Sequence, residues 1–170
     1  MRARPDSRGV VTVERVAVWL LAILAIAGLA ALVVGPGADY RTAAPSVDIE
    51  GSYTATSGVV TLTHDGGDEL TARSTTRLAV YVTDADTNAT TRLTWANGST
   101  LPLSEGATFA VDDPRVDSNG DQNFLDGDGS VGFSLADEDT VEVVWTGRLI
   151  GAPGERSTAF YTDTVGNMTN

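Results

Sequence analysis

The sequence predicts an N-terminal transmembrane α-helix followed by an all-β antiparallel sandwich. Three observations predict it. An apolar run of 19 residues, Val16 to Val34, carries no charged side chain. Beyond residue 52, apolar residues alternate with threonine and other polar residues at period two, the mark of a half-buried strand. After residue 40 no segment has the 3.6-residue period of an amphipathic helix.

The apolar run comes first. At about 1.5 Å per residue, 19 helical residues span roughly 28 Å, close to the hydrocarbon thickness of a bilayer. Trp19 lies near its start, where an interfacial indole belongs. Arg2, Arg4, Arg8 and Arg15 precede or open it, against Asp6 and Glu14. The positive-inside rule then places the first residues in the cytoplasm and everything after Gly35 outside. Pro36 ends the helix because it lacks an N–H and disfavours a helical Gly35. Ala27, Gly28 and Ala31 form a small-residue patch that lets another helix approach. A secretory signal peptide has a shorter apolar region, about 7–15 residues, with a small-residue cut site after it.

Glu14 stands out, since a carboxylate at the edge of an apolar helix needs a partner or access to water. Two readings are open. Glu14 pairs with Arg15 at the headgroups, or it meets an α-amino group created by a cut between Gly9 and Val10. In a staggered bundle, that amine on one copy would neutralise Glu14 on a neighbour.

The expected domains are a cytoplasmic leader over 1–9, the hydrophobic helix over 10–34, a linker over 35–52 and an outer sandwich over 53–170. The linker is assigned on its Gly, Pro, Ala, Ser and Thr content. In the outer region the alternating sets are Val60, Leu62 and His64; Leu78, Val80 and Val82; Leu93 and Trp95; Phe109 and Val111; Val131, Phe133 and Leu135; Val141, Val143 and Trp145; and a last run from Thr158 to Val165. His64-Asp65-Gly66-Gly67-Asp68 reads as a tight hairpin connection. Seven or so short strands call for an Ig-like sandwich, because open sheet edges must be covered or closed. The expected core is Val60, Leu62, Leu78, Val80, Val82, Trp95, Phe109, Val111, Phe133, Val141, Val143 and Trp145.

Charge narrows the function. The chain carries a net charge of −12 with no lysine and no cysteine. Such an acidic surface repels nucleic acid. Molar salt shrinks the Debye length to about 3 Å and relieves the self-repulsion. An acid-rich, lysine-free chain therefore suits brine, and a haloarchaeal source. Without cysteine, no disulfide can staple the outer domain.

Four groups of residues are candidate sites. In 117–128, Asp117, Asn119, Asp121, Asn123, Asp126 and Asp128 offer six side chains with carbonyl or carboxylate oxygens at near-alternate spacing. Calcium is the cofactor such a loop would take, although Gln122 stands where an EF-hand has glycine and Asp128 where it has glutamate. Asn88, Asn97 and Asn167 open N-glycosylation acceptor tripeptides. The single histidine, His64, sits at a strand end, which favours a packing or hydrogen-bonding role. Asp112 and Asp113 are adjacent, so they point to opposite faces of an extended chain and make a poor catalytic pair. No nucleophile–base constellation, phosphate loop or basic stripe is present, so no enzymatic activity and no nucleic-acid partner are expected.

Together, Arg8-Gly9-Val10-Val11-Thr12-Val13-Glu14 and the apolar run resemble the N-terminus of type IV prepilins. Gly58 to Asp68 resembles the first hairpin of haloarchaeal type IV pilin-like proteins, and Asp139 to Thr146 their late strand. Many such relatives carry Ser-Pro after the cut and lack the glutamate. Val11, Thr12 and Glu14 are closer to bacterial pilins and tight-adherence pseudopilins. The resemblance implies a helix that forms a filament core, a β-rich head, and cutting by a prepilin peptidase between Gly9 and Val10. It implies Glu14 as the assembly carboxylate, with partners in the membrane, in like subunits and in other pilins. Surface adhesion or biofilm formation is the implied role. The alternative is a monomeric, membrane-anchored binding module whose sandwich grips a glycan, a cation or a surface-layer protein.

Overall fold

The structure, a computed structural model, describes residues 43–117 and 119–168. These residues are all-β. Eight strands run in order: β1 (Val47–Thr54), β2 (Val59–Gly67), β3 (Thr75–Thr83), β4 (Thr90–Asn97), β5 (Thr108–Asp112), β6 (Gly129–Ser130), β7 (Thr140–Arg148) and β8 (Glu155–Thr164). A three-residue 3-10 turn, Val165–Asn167, follows.

The expected architecture of a transmembrane helix followed by a sandwich is thereby corrected to an all-β one. Among the described residues, no helix is long and apolar enough to cross a membrane. The physical reason is the period-two pattern of β-branched and threonine residues, which fits a pleated surface and leaves no helical stripe. The segment expected to be helical, 10–34, lies outside the described residues, as do Gly9, Val10 and Glu14.

The strands form two four-stranded sheets, ordered β1-β2-β5-β6 and β4-β3-β7-β8. All pairings are antiparallel except β5 with β6. The fourth strand lies beside the third in the second sheet. In an immunoglobulin constant-type partition it would sit on the first.

Burial alternates as the sequence predicts. Val60 and Leu62 on β2, Leu78, Val80 and Val82 on β3, and Val141, Val143 and Trp145 on β7 are all fully buried. All twelve expected core residues are buried in one cluster that draws on both sheets. Burying a Val, Leu or Phe side chain stabilises by about 1.5–3 kcal/mol, so this cluster is the main source of cohesion. Trp95 of β4 meets Phe109 of β5 across the interior, with ring centroids 5.9 Å apart. On the second sheet, Trp145 stacks on Phe160 at 6.2 Å and donates its indole N–H to Thr75 Oγ1 at 2.9 Å.

Three local expectations change. The sandwich starts at Val47, inside the expected linker, because β1 pairs with β2 along its whole length. The segment His64–Asp68 is no hairpin: β2 runs on to Gly67, and the β1–β2 turn lies at Thr54–Val59. Gly67 takes a φ of 92°, and a Cβ there would strike the carbonyl oxygen of Ser46. The glycine serves close approach of the backbone at Ser46 and Val47. Finally, Phe133 is buried as expected, Val131 and Leu135 join it in the core, and all three lie beyond the two-residue β6 instead of on a strand. Val131 N donates to Asp112 O and Leu135 N to an Asp113 carboxylate oxygen, so no ladder partner is needed.

Candidate functional site

Strand order divides the sandwich into two ends. At one end, β2 crosses to β3, β4 finishes and β7 turns into β8. At the other lie the β1–β2 and β3–β4 hairpins and the long connection from β5 to β7. This second end holds most of the candidate site residues.

Asp112 closes β5 and Asp113 follows it. Both are buried, and they serve different segments, as alternation requires. Asp112 Oδ2 accepts from Gly127 N, fastening the far side of the acidic loop. Asp113 Oδ1 accepts from Arg115 N at 2.8 Å, and Oδ2 from Leu135 N at 2.9 Å. Asp139 works in the same way. It is 2% exposed and accepts from Ala85 N and Ala136 N, each at 2.9 Å. Buried carboxylates that accept backbone N–H groups pin loops, since losing them strands those donors at about 1–3 kcal/mol each. Sequence reasoning gave none of the three this role. The only signal was their place at the ends of strands.

The six expected cation ligands divide. Asp117, Asp121 and Asp126 bring carboxylate oxygens within 4.8 Å of one another. Asn119 and Asn123 instead turn their amide nitrogens to Asp126 Oδ1, at 3.3 and 3.2 Å. Their oxygens accept from the backbone of Asp121 and Leu125. Asp128 leaves the group altogether and accepts from Ala110 N at 2.8 Å. Half of the expected ligand set thus converges, and the other half builds the loop.

A chain of local hydrogen bonds shapes that loop. Asp117 accepts from Asn119 N, Gly120 N and Gln122 N, at 3.2, 2.6 and 2.8 Å. The Gln122 amide, first among these, holds the Asp117 carboxyl below the usual aspartate range. In the β3–β4 hairpin, Asp84 is lowered in the same direction by the Thr87 backbone and hydroxyl, with the Asp86 amide adding to it. A carboxyl with a depressed folded pKa stabilises above its unfolded value, about 3.9, and loses that contribution as pH falls through the folded value. Both turns are therefore expected to stay closed through pH 4 and to loosen only below it. Amide chemical shifts of Gly120, Gln122 and Thr87, followed from pH 5 to pH 2, check this. Midpoints at or above 4 would refute it.

His64 is fully buried, and its Nε2 lies 3.2 Å from the Asp68 carbonyl oxygen. Its Nδ1 is buried without a hydrogen-bond partner among the described residues. The packing and hydrogen-bonding role expected of it matches this placement. Burial also raises two phenols. Tyr53 is raised by desolvation first and then by Asp113, Asp137 and Asp139. Tyr161 is raised by desolvation and then by Asp163 and Glu50.

The acceptor asparagines are exposed. Asn88 sits in the β3–β4 hairpin at φ 56°, a conformation asparagine tolerates better than most residues. Asn97 ends β4, and its Oδ1 accepts from Ser99 N at 3.0 Å and Ser99 Oγ at 2.7 Å. Asn167 lies in the final 3-10 turn, and Thr169, which completes its tripeptide, is outside the described residues.

No protein-family model matches the chain, and no curated protein matches it.

Proposed function

We propose that the chain is a structural subunit of a type IV pilus-like surface filament. A prepilin peptidase cuts it between Gly9 and Val10, and the outer sandwich faces the surroundings in adhesion or biofilm formation. Before assembly the apolar run Val16–Val34 holds the subunit at a membrane, with its first residues inside. After the cut, apolar packing and a pairing of the new α-amine with Glu14 of a neighbour hold the filament. The subunit has no catalysis of its own, and its partners are other subunits, the peptidase and the surface it touches.

One observation carries this reading. A glycine, a carboxylate five residues later and an uncharged 19-residue apolar run stand in immediate succession. A plain anchor needs neither Gly9 nor Glu14. The acidic, lysine-free composition supports an outer domain that works in brine.

Mass spectrometry of the protein from membranes and from sheared surface material tests the reading. The expected mature chain begins at Val10, and Gly9→Leu is expected to keep the full mass and to abolish surface filaments. Surface material that still begins upstream of Val10 sinks the proposal. So does normal surface display by the Gly9→Leu chain. The same spectra report glycans on Asn88, Asn97 or Asn167.

A further inference from the structure

Two Asn-Gly pairs occur in the chain, Asn97-Gly98 and Asn119-Gly120. Such a pair can react within itself. The glycine nitrogen attacks the side-chain amide carbon, and a five-membered succinimide closes. Attacker and target are covalently joined, so no encounter is needed. Glycine favours the step because it lacks a Cβ and its backbone takes the torsions of the ring at low cost. Two conditions then decide the rate. The glycine N–H must be free to give up its proton, and the asparagine oxygen must bear negative charge as the nitrogen adds. The fold sets these conditions oppositely at the two pairs.

Asn97 closes β4, and the turn after it is held by Thr100 N and Leu101 N, which donate to Asn97 O at 3.0 and 3.1 Å. That turn brings Ser99 to the Asn97 side chain. Asn97 Oδ1 accepts from Ser99 N at 3.0 Å and from Ser99 Oγ at 2.7 Å. Two preset donors on the oxygen where charge develops form a small oxyanion hole. Gly98 N takes part in no hydrogen bond among the described residues, and nothing lies within 4 Å of a Cβ placed on Gly98. A cation stands beside the pair. Arg77 is opposite Asn97 in the β3–β4 ladder, which sets their Cβ atoms about 5 Å apart on one face. Arg77 Nε is buried and has no hydrogen-bond partner among the described residues. The guanidinium favours negative charge on the intermediate and on a product carboxylate alike.

Asn119-Gly120 is tied down and sits among like charges. Gly120 N donates to Asp117 Oδ1 at 2.6 Å, and a carboxylate there holds the proton on the nitrogen. Asn119 Oδ1 accepts from Asp121 N at 2.9 Å, with no hydroxyl beside it to match Ser99 Oγ. Asn119 Nδ2 donates to Asp126 Oδ1 at 3.3 Å. The carboxylates of Asp117, Asp121 and Asp126 bring oxygens within 4.8 Å of one another. Negative charge on Asn119 Oδ1 would join these three carboxylates at close range, which costs Coulomb energy.

We infer that Asn97 is a site of self-modification, converted through a succinimide to aspartate and isoaspartate, and that Asn119 is spared. The bond from Gly98 N to Asn97 Cγ forms as the N–H proton passes to water. The Cγ–Nδ2 bond breaks, and Nδ2 takes a proton from water and leaves as ammonia. Water then adds to one of the two imide carbonyls. Opening the bond from Cγ to the ring nitrogen gives aspartate. Opening the bond from the Asn97 main-chain carbonyl to the same nitrogen gives isoaspartate. Water is the sole co-reactant. Either product is a carboxylate facing Arg77. Either also lacks Nδ2, the atom that a glycan at Asn97-Gly98-Ser99 needs, so the reaction and glycosylation exclude each other. Isoaspartate further lengthens the main chain by one carbon where β4 enters its turn. The inference stands on this turn and is independent of the filament reading.

Full-length protein from a host that adds no N-glycans is held at neutral pH in high salt, and its peptides are mapped by mass spectrometry over time. The Asn97 peptide is expected to exchange NH2 for OH, with isoaspartate among its products, at least about tenfold faster than the Asn119 peptide. In urea, where neither turn exists, the two rates are expected to converge. Ser99→Ala keeps the N–H donor and loses the hydroxyl, so it is expected to slow conversion of Asn97 about fivefold, the effect of one hydrogen bond. Ser99→Thr is expected to restore it. An intact Asn97 in the folded protein overturns the inference. So does a ratio of the two rates that is the same folded and in urea, or a Ser99→Ala rate equal to that of the parent chain.

Discussion

Trp145→Ala is expected to destabilise the head by about 3–5 kcal/mol, the range for removing a large buried aromatic residue. Trp145 is fully buried in the middle of the core cluster. Its loss opens a cavity in the core, removes the stack on Phe160 and leaves Thr75 Oγ1 without its indole donor. Domains of this size are stable by only about 5–15 kcal/mol, so the variant would sit near the edge of folding. No disulfide compensates, because the chain has no cysteine. Urea unfolding in high salt measures the change. A fall in melting temperature of roughly 10–20 °C should accompany it. Trp145→Phe fills most of the volume and should cost less than half as much. A loss below about 1 kcal/mol for Trp145→Ala would contradict the core described above.

Gly147→Val should be the other severe change. A Cβ at this position would collide with the carbonyl oxygen of Ser74 and with the ring of Trp145. The first of these is backbone, and it is held in place by the Arg148 amide, which donates to Ser74 O at 3.0 Å. A flexible side chain could swing aside, but this carbonyl cannot without breaking the β3–β7 pairing. Overpacking a filled core costs typically 1–3 kcal/mol, and a backbone collision belongs at or above the top of that range. The expected result is loss of at least about 3 kcal/mol, or insoluble protein. Gly98→Val is the control, since nothing lies within 4 Å of a Cβ there. Equal stability of the Gly147 and Gly98 variants would refute the close approach.

The sandwich was legible from alternation. Eleven of the twelve core positions lie on strands and could be read from one apolar face per strand, while Phe133 reached the core from a segment beyond β6. β1 was hidden. Val47 and Ile49 alternate with Asp48 and Glu50, but Gly51 follows, in a stretch whose composition reads as a neck. Only its pairing with β2 identifies it. The Gly66-Gly67 pair misled in the opposite way. Glycine marks both turns and close approaches, and the sequence cannot separate the two without the neighbouring chain. The acidic loop was partly legible. Spacing found the three carboxylates that converge, but the amide orientations of Asn119 and Asn123 depend on the fold of the loop. The roles of Asp113 and Asp139 were hidden, since their partners lie 22 and 54 residues away.

The order of strands in the second sheet also dictates when this head can form. β3 is flanked by β4, which follows at once, and by β7, whose Val143 pairs with Val80. Ribosomes add about 5–20 residues per second, so roughly 2.5–10 s separate the two partners in a nascent chain. For that interval the row of Leu78, Val80 and Val82 has one open side. A half-made sandwich is thus a strand template looking for a mate until β7 arrives to seal it.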